Sequence, residues 1–505
     1  MRTGLVFGAA MLLATGFAAA QEVPTQTLRI ALADDTDILD PTLARTYSGR
    51  IVFAGLCDKL LDINDKLEIV PQLATSYEWA DSQTLILRLR PGVKFHDGTD
   101  LDAAAVKYSL ERHLTMSGST RRAEISTMDR VEIVDPLTVR VVLKTPSSPF
   151  VSHLTDRAGM IVSPKAAEAA GKNFGAAPVC AGPFRFVERI AQDRFVLDRF
   201  VDYWNAKDIH FARLVYRPIV DNSVRLTNLQ AGALEMGERI AATDVEEARR
   251  DKRLAVFVHP GLGYQSINFN LNHGARSNTP IGKSALVRKA FEAAIDREVL
   301  MQVVYNGLFT PVAQGLPPAS PYYNADVKPL PRDLAKARAL LKEAGVTLPV
   351  PVTLTVTTNP DQKQTGEMIQ SMAAEAGFDV KVVATEFATA LAAQARGDYE
   401  ASAIGWSGRA DPDGNLYNSI HSKGALNETR YANNDVDTWL DAARATTDFT
   451  ARKALYAKII AQHAADLPVM YLDANPWIVV TSAKLSGFRP VPDGIIRVQG
   501  MRLAR

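Results

Sequence analysis

An α/β fold spread over two or three domains is predicted for this chain by its length, its composition and one run of alternating elements. At 505 residues it is too long for a single core, because cores stop growing beyond about 250–300 residues. Apolar residues make up 47% and charged residues 22%, the balance of a globular protein and not of a disordered or fibrous one. From Val350 to Gly405 strand and helix patterns alternate, the mark of βαβ units on a parallel sheet.

The first twenty residues stand apart from that fold. Met1-Arg2 is a minimal positive start, Leu5 to Phe17 is apolar and small, and Ala18-Ala19-Ala20 fits a signal-peptide cleavage site. Export to the periplasm follows, with Gln21 as the mature start. No cysteine stands at the cut to carry a lipid, and no later run is long and apolar enough to span a bilayer. Basic residues number 57 and acidic residues 56, and cleavage removes Arg2 alone, so the mature chain is neutral. That balance points away from nucleic acid, which needs a basic stripe, and from strong attraction to anionic lipid. The only cysteines, Cys57 and Cys180, would be buried thiols in a reducing cytosol. In an exported chain an even pair predicts a disulfide, here tying an early segment to the Pro178–Pro183 turn.

In chain order, Leu28 to Leu32 reads as a strand running into an Asp-rich turn. Asp34, Asp35 and Asp37 lack the alternation and closing Glu of a calcium loop, so they read as solvated turn residues. A helix is expected over Ser48–Leu61, then a strand through Leu85, Leu87 and Leu89 and a return strand through Val93 and Phe95. Asp102 is placed to cap a helix from Ala103 to His113. His96 and Asp97 are adjacent on a turn and do not face each other as a catalytic pair would. Strand pairs follow around Asp135-Pro136 and over Phe184–Glu188 with Arg194–Arg199, then a helix over Asp221–Gly232 and a strand over Ala255–Val258. At Gly263 an alternating strand sets Tyr264, Ser266, Asn268 and Asn270 on one side, a face too polar for a core. Helices from Ser284 and, capped by Asp296, to Tyr305 lead into a Pro-rich connection from Pro311 to Pro331.

Strand Val350–Val356, a helix from Gln362 to Ala376, strand Asp379–Ala384, a helix from Ala388 to Ala395 and strand Ala401–Gly405 complete the βαβ run. The loops Thr357–Asn359 and Trp406–Asp413 then follow the carboxyl ends of strands in one sheet, the edge where open α/β sheets hold small ligands. The second loop carries Trp406, Arg409, Asp411 and Asp413 between the turn formers Gly405, Gly408, Pro412 and Gly414. Helices over Val436–Ala445 and Ala451–Ala465 would cover the sheet.

Several of these stretches together resemble family 5 of the solute-binding proteins of ABC transporters, the peptide and nickel group. The matching text is QLATSYEWADSQTLILRLRPGVKFHDGTDLDAAAVKYSLER (Gln72–Arg112), AGPFRFVER (Ala181–Arg189), SINFNLN (Ser266–Asn272) and VRKAFEAAIDRE (Val287–Glu298). Asp100 stands where the family usually has Pro. The resemblance implies a bilobal periplasmic binding protein fold, type II and cluster C-like, whose lobes close over one ligand. Its lobes would be 26–44, 182–265 and 478–505 for the first, with an extra subdomain over 45–181, and 266–477 for the second. The hinge would be crossed near Gln265–Phe269 and Trp477. Dipeptide binders of the family carry an Asp just past the Trp-x-Gly, where this chain has Arg409, or Asp411 if a gap intervenes. They also carry an Arg before the Asn-Pro turn, where this chain reads Val356-Thr357-Thr358.

A guanidinium is a planar fork suited to a carboxylate, so Arg409 on a closing lobe favours an anionic ligand end. Asp411 and Asp413 would receive an amine or pair with Arg409, and Thr358 and Asn359 would line the same edge. Trp406, Tyr264 and Tyr47 would supply flat apolar walls, or else pack in the core. The expected function is capture of a peptide or amino-acid conjugate, opine-like and carboxylate-bearing, by a monomer that delivers it to a permease, with no catalytic residue and no cofactor. The alternatives are a periplasmic hydrolase, for which GWSG around Ser407 lacks the nucleophile-elbow spacing, and a nickel or haem carrier resting on scattered histidines such as His421.

Overall fold

The computed structural model describes residues 25–504; the signal segment expected over 1–20 lies outside them. Three sheets organise the described chain. The first has seven strands in the spatial order Leu254–His259, Trp477–Ser482, Met236–Glu238, Thr27–Leu32, Arg213–Pro218, Arg194–Arg199 and Phe184–Ile190. The second has six, in the order Thr310–Pro311, Val469–Ala474, Tyr264–Phe269, Ala401–Trp406, Val350–Thr357 and Phe378–Thr385. The third is antiparallel and four-stranded, over Ala74–Asp81, Thr84–Leu89, Thr138–Leu143 and Met128–Asp135. The first two sheets are the floors of two lobes, and the whole is the bilobal α/β fold of periplasmic binding proteins.

The chain passes from the first sheet to the second between His259 and Tyr264, and returns between Ala474 and Trp477. These crossings are packed against each other and against the loop after Trp406. A Cβ on Gly261 would stand 2.5 Å from the Asn475 carbonyl oxygen, and one on Gly263 would stand 2.5 Å from that of Trp406. Only hydrogen fits at either place.

The βαβ run is parallel, as its alternation requires. Val350–Thr357 pairs in parallel with Phe378–Thr385 along its whole length and with Ala401–Trp406 at Leu354 and Thr355. Val350, Val352, Leu354 and Val356 bury one face against Ile369, Ala373 and the helix Ala285–Ala294. Carboxyl ends at Thr357, Thr385 and Trp406 therefore rise along one edge. The third sheet has its own core around Leu85, Leu87, Phe95 and Phe150. It is joined to the first lobe's core by Trp204, which packs against both; the Cys57–Cys180 bond, whose Cα atoms are 4.9 Å apart, lies within the first lobe's core.

Several element expectations are corrected. The helix expected over Ser48–Leu61 runs from Tyr47 to Leu56, because Cys57 leaves helical geometry to reach its disulfide partner. Val93 and Phe95 form no strand but anchor a turn through a single bridge, Lys94 with Asp100. A helix also occupies Leu334–Glu343, after the Pro-rich connection. The Trp406–Asp413 loop is cut short by a helix over Pro412–Ile420. Asp411 caps it by accepting a hydrogen bond from Asp413 N at 2.9 Å, and Pro412 fills the first position, where no amide hydrogen is needed.

Candidate functional site

Two adjoining cavities of about 120 Å³ each lie between the lobes, at the carboxyl edge of the second sheet. They share Tyr47, Phe387, Gly405, Trp406 and Ser407, so together they form one cleft with Trp406 in its middle. First-lobe residues Asp34 and Arg239 and second-lobe residues Asn359 and Asp361 line one half. Tyr264, Ser266, Asn268 and Tyr471 line the other, with Arg45 and Glu428. The Asn-rich face of strand Tyr264–Phe269 thus meets a cavity, apart from Asn270, which is buried against backbone carbonyls of Gly397 and Tyr399.

The aromatic walls are held rigidly. Tyr47 stacks on Trp477 with centroids 4.6 Å apart and planes 12° apart, and its hydroxyl donates to the Gly494 carbonyl. Burial keeps that phenol well above its ordinary pKa and therefore neutral. The Trp406 indole donates to Asn415 Oδ1 at 2.9 Å, and the Arg409 guanidinium lies 4.8 Å from the ring centroid. Tyr264 stands opposite Trp406 in the ladder and meets Tyr471 edge-on at 4.9 Å. Walls fixed in this way lose little side-chain entropy when a solute covers them.

One half of the cleft is acidic. Arg239 bonds Asp34 at 2.8 Å and Glu238 at 2.7 Å, so a single guanidinium serves two carboxylates. Asp361, in the first turn of the helix Pro360–Ala374, is reached by the neutral Asn222 amide at 2.6 Å. Burial pushes Asp361 up to about 6. Asn359 Nδ2 donates to Asn222 Oδ1 at 2.9 Å, a contact between the lobes. Thr358 gives its amide to the Thr385 carbonyl, and it is Thr357 that lines the cleft.

The expected ion pairing of the Trp406–Asp413 segment is corrected. Asp411 is bonded by both terminal nitrogens of Arg452, at 2.7 and 2.8 Å. Asp413, fully buried, accepts from Arg444 Nε at 2.7 Å and sits 3.0 Å from His153 Nε2. Burial opposes its ionisation, but Arg444 and His153 hold it well below the usual carboxylate range. Neither carboxylate lines the central cleft, and neither pairs with Arg409. Arg409 instead reaches across to Asp156 at 2.6 Å and lines a smaller third cavity beside Asp156 and Arg50. Ser407 Oγ accepts from Arg50 and Arg409, each at 3.2 Å, so cations and not a general base surround it. His421 stacks on Tyr417 at 4.6 Å.

Asp34, Arg239 and Asp361 were not marked by any local signal of binding. Asp34 sits in a turn that reads as solvated, and Asp361 follows an Asn-Pro helix start as any first-turn acid does.

Residues 68–427 match the family described as bacterial extracellular solute-binding proteins, family 5. The chain belongs to that family. This family 5 protein is 31% identical over 477 residues to the glutathione-binding protein GsiB of Pectobacterium atrosepticum, covering 92% of this chain and 91% of that one. Among solved structures it is similar to the ABC transporter-associated periplasmic binding protein DppA of Helicobacter pylori in complex with the peptide STSA. The TM-score there is 0.88 at 26% identity, over 95% of this chain and 99% of that one. It is likewise similar to AgaA of A. tumefaciens R10 in complex with agropinic acid, with a TM-score of 0.86 at 26% identity over 95% and 99% of the two chains. Solute-binding proteins of this family hold small-molecule or peptide ligands and work with ABC permeases.

Proposed function

We propose that this family 5 protein captures a small peptide or amino-acid conjugate, opine-like and bearing a free carboxylate, in the periplasm. It hands that solute to the permease of an ABC importer without changing it chemically. The observation that carries the reading is the cleft itself, walled by Tyr47 and Trp406 and formed by side chains from both lobes. Asp34 and Asp361 at one half suit an amine, while Arg45 lines the other half and offers a guanidinium to a carboxylate. Two cavities of about 120 Å³ suit a solute of a few residues and not a long peptide. The relatives named with glutathione, a short peptide and agropinic acid support the same class.

Native mass spectrometry of protein taken from its own periplasm tests this. We expect a retained organic solute that carries both an amine and a carboxylate and is released intact on denaturation. A protein that carries no solute and turns over an added ester or peptide would overturn the reading.

A further inference from the structure

An acid in the first turn of a helix usually answers the unpaired amides of that turn. Asp361, in the helix Pro360–Ala374, is not needed for this. Asn359 Oδ1 already accepts from the Asp361 and Gln362 amides, at 3.0 and 3.4 Å. The Asp361 side chain instead lines the half of the cleft that also holds Asp34. Its Oδ2 accepts from the Asn222 amide at 2.6 Å, across the lobe boundary, and its Oδ1 accepts no hydrogen bond among the described residues.

Charge is out of balance at this place. The charged residues lining this half are Asp34, Asp361 and Arg239, two carboxylates against one guanidinium that is already shared with Glu238. Arg225, fully buried beside them, donates to the carbonyls of Ile219, Val220 and Arg239 and to Asn222 Oδ1, and to no carboxylate. With Arg225 and Glu238 counted, three carboxylates face two guanidinium groups, and Asp221 and Asp244 further out add to the negative side. Burial pushes Asp361 up to about 6, so closing the lobes over its carboxylate calls for a proton or another cation. This half offers about 120 Å³ and an apolar wall as well. Tyr305 stacks on Phe309 with centroids 4.0 Å apart, and both line it. Aromatic faces beside a carboxylate suit a cation carried on a carbon chain.

We propose that Asp361 selects the solute by receiving a primary ammonium group, which Asp34 shares from the opposite lobe. The assignment rests on the solute-binding reading and gives the acidic half of the cleft its ligand group. An ammonium supplies the missing positive charge together with three N–H donors, one for Asp361 Oδ1 and one for Asp34. A cation without donors would leave Asp361 Oδ1 unbonded. The acids after Trp406 are not free for this role, because Asp411 and Asp413 are held by Arg452 and Arg444. The bridge between Asp34 and Asp361 exists only with the lobes together, so the amine favours closure as well as binding.

The test is the melting temperature of solute-free protein at constant ionic strength and a pH of about 8, where Asp361 is ionised. Sodium chloride is replaced stepwise by methylammonium chloride or by tetramethylammonium chloride, which carries the charge without donors. We expect methylammonium to raise Tm by about 1–2 °C along a saturating curve relative to both other salts, and Asp361→Asn to abolish the rise. Identical Tm values in all three salts overturn the assignment. So does tetramethylammonium that matches methylammonium, or an Asp361→Asn protein that responds like wild type. Should Asp361→Asn fail to fold, Asp34→Asn carries the same expectation. A retained solute found by native mass spectrometry would survive a negative result here, so the two proposals fail separately.

Discussion

At the scale of single residues, Trp406 lines both halves of the cleft and is held in place by Asn415 and Arg409. Trp406→Ala is expected to weaken binding of the retained solute by about 30-fold or more, roughly 2 kcal/mol, while Tm changes little. Titration calorimetry checks this, and an unchanged Kd would remove Trp406 from the site. Asp473 offers a contrast. It is 0% exposed, neither of its carboxylate oxygens has a partner among the described residues, and burial pushes it up to about 8. Its folded pKa lies above the unfolded value of about 4, so the folded state holds a proton that the unfolded chain releases. The stability tied to that proton is complete below about pH 4 and is lost as pH rises toward 8. Asp473→Asn should accordingly match wild type near pH 4 and exceed it near pH 8, by on the order of 2–4 kcal/mol. Urea unfolding at the two pH values decides it; an equal difference at both would contradict the assignment.

At the scale of elements, the parallel βαβ run was legible because strand and helix periods differ and are set by neighbouring residues. Its consequence, two loops on one sheet edge, was legible with it: Thr357, Asn359 and Trp406 do line one cleft. The helix Pro412–Ile420 had a local signal, an Asp cap before Pro, that was outweighed by the turn formers around it. The partners of Asp411, Asp413 and Arg409 had none. They are Arg452, Arg444 and Asp156, contributed by other helices and by a segment some 250 positions away, and only the folded chain brings them together. The Cys57–Cys180 bond was foreseen from compartment and count, not from geometry. It closes a span of 123 residues, and the double variant Cys57→Ser/Cys180→Ser should lose about 2–5 kcal/mol of stability, read as a lower urea midpoint.

At the scale of the whole molecule, the lobes meet through polar contacts at the cleft and through apolar side chains near the crossings, where Leu229, Ile240 and Val245 belong to the same buried cluster as Val304 and Tyr305. Arg45 bonds Glu428 at 2.8 Å, and Asn359 bonds Asn222 at 2.9 Å. Contacts of this kind can be exchanged for water at little cost, which suits lobes that separate about two tightly packed crossings. Enclosing a solute adds buried area that only the closed arrangement has, so the solute should shift the population toward closure. Small-angle X-ray scattering measures this directly, on protein stripped by unfolding and refolding and then resupplied with the solute found by native mass spectrometry. We expect a larger radius of gyration without solute, and with it a curve that matches the structure described above. The same curve in both states would contradict capture by closing lobes.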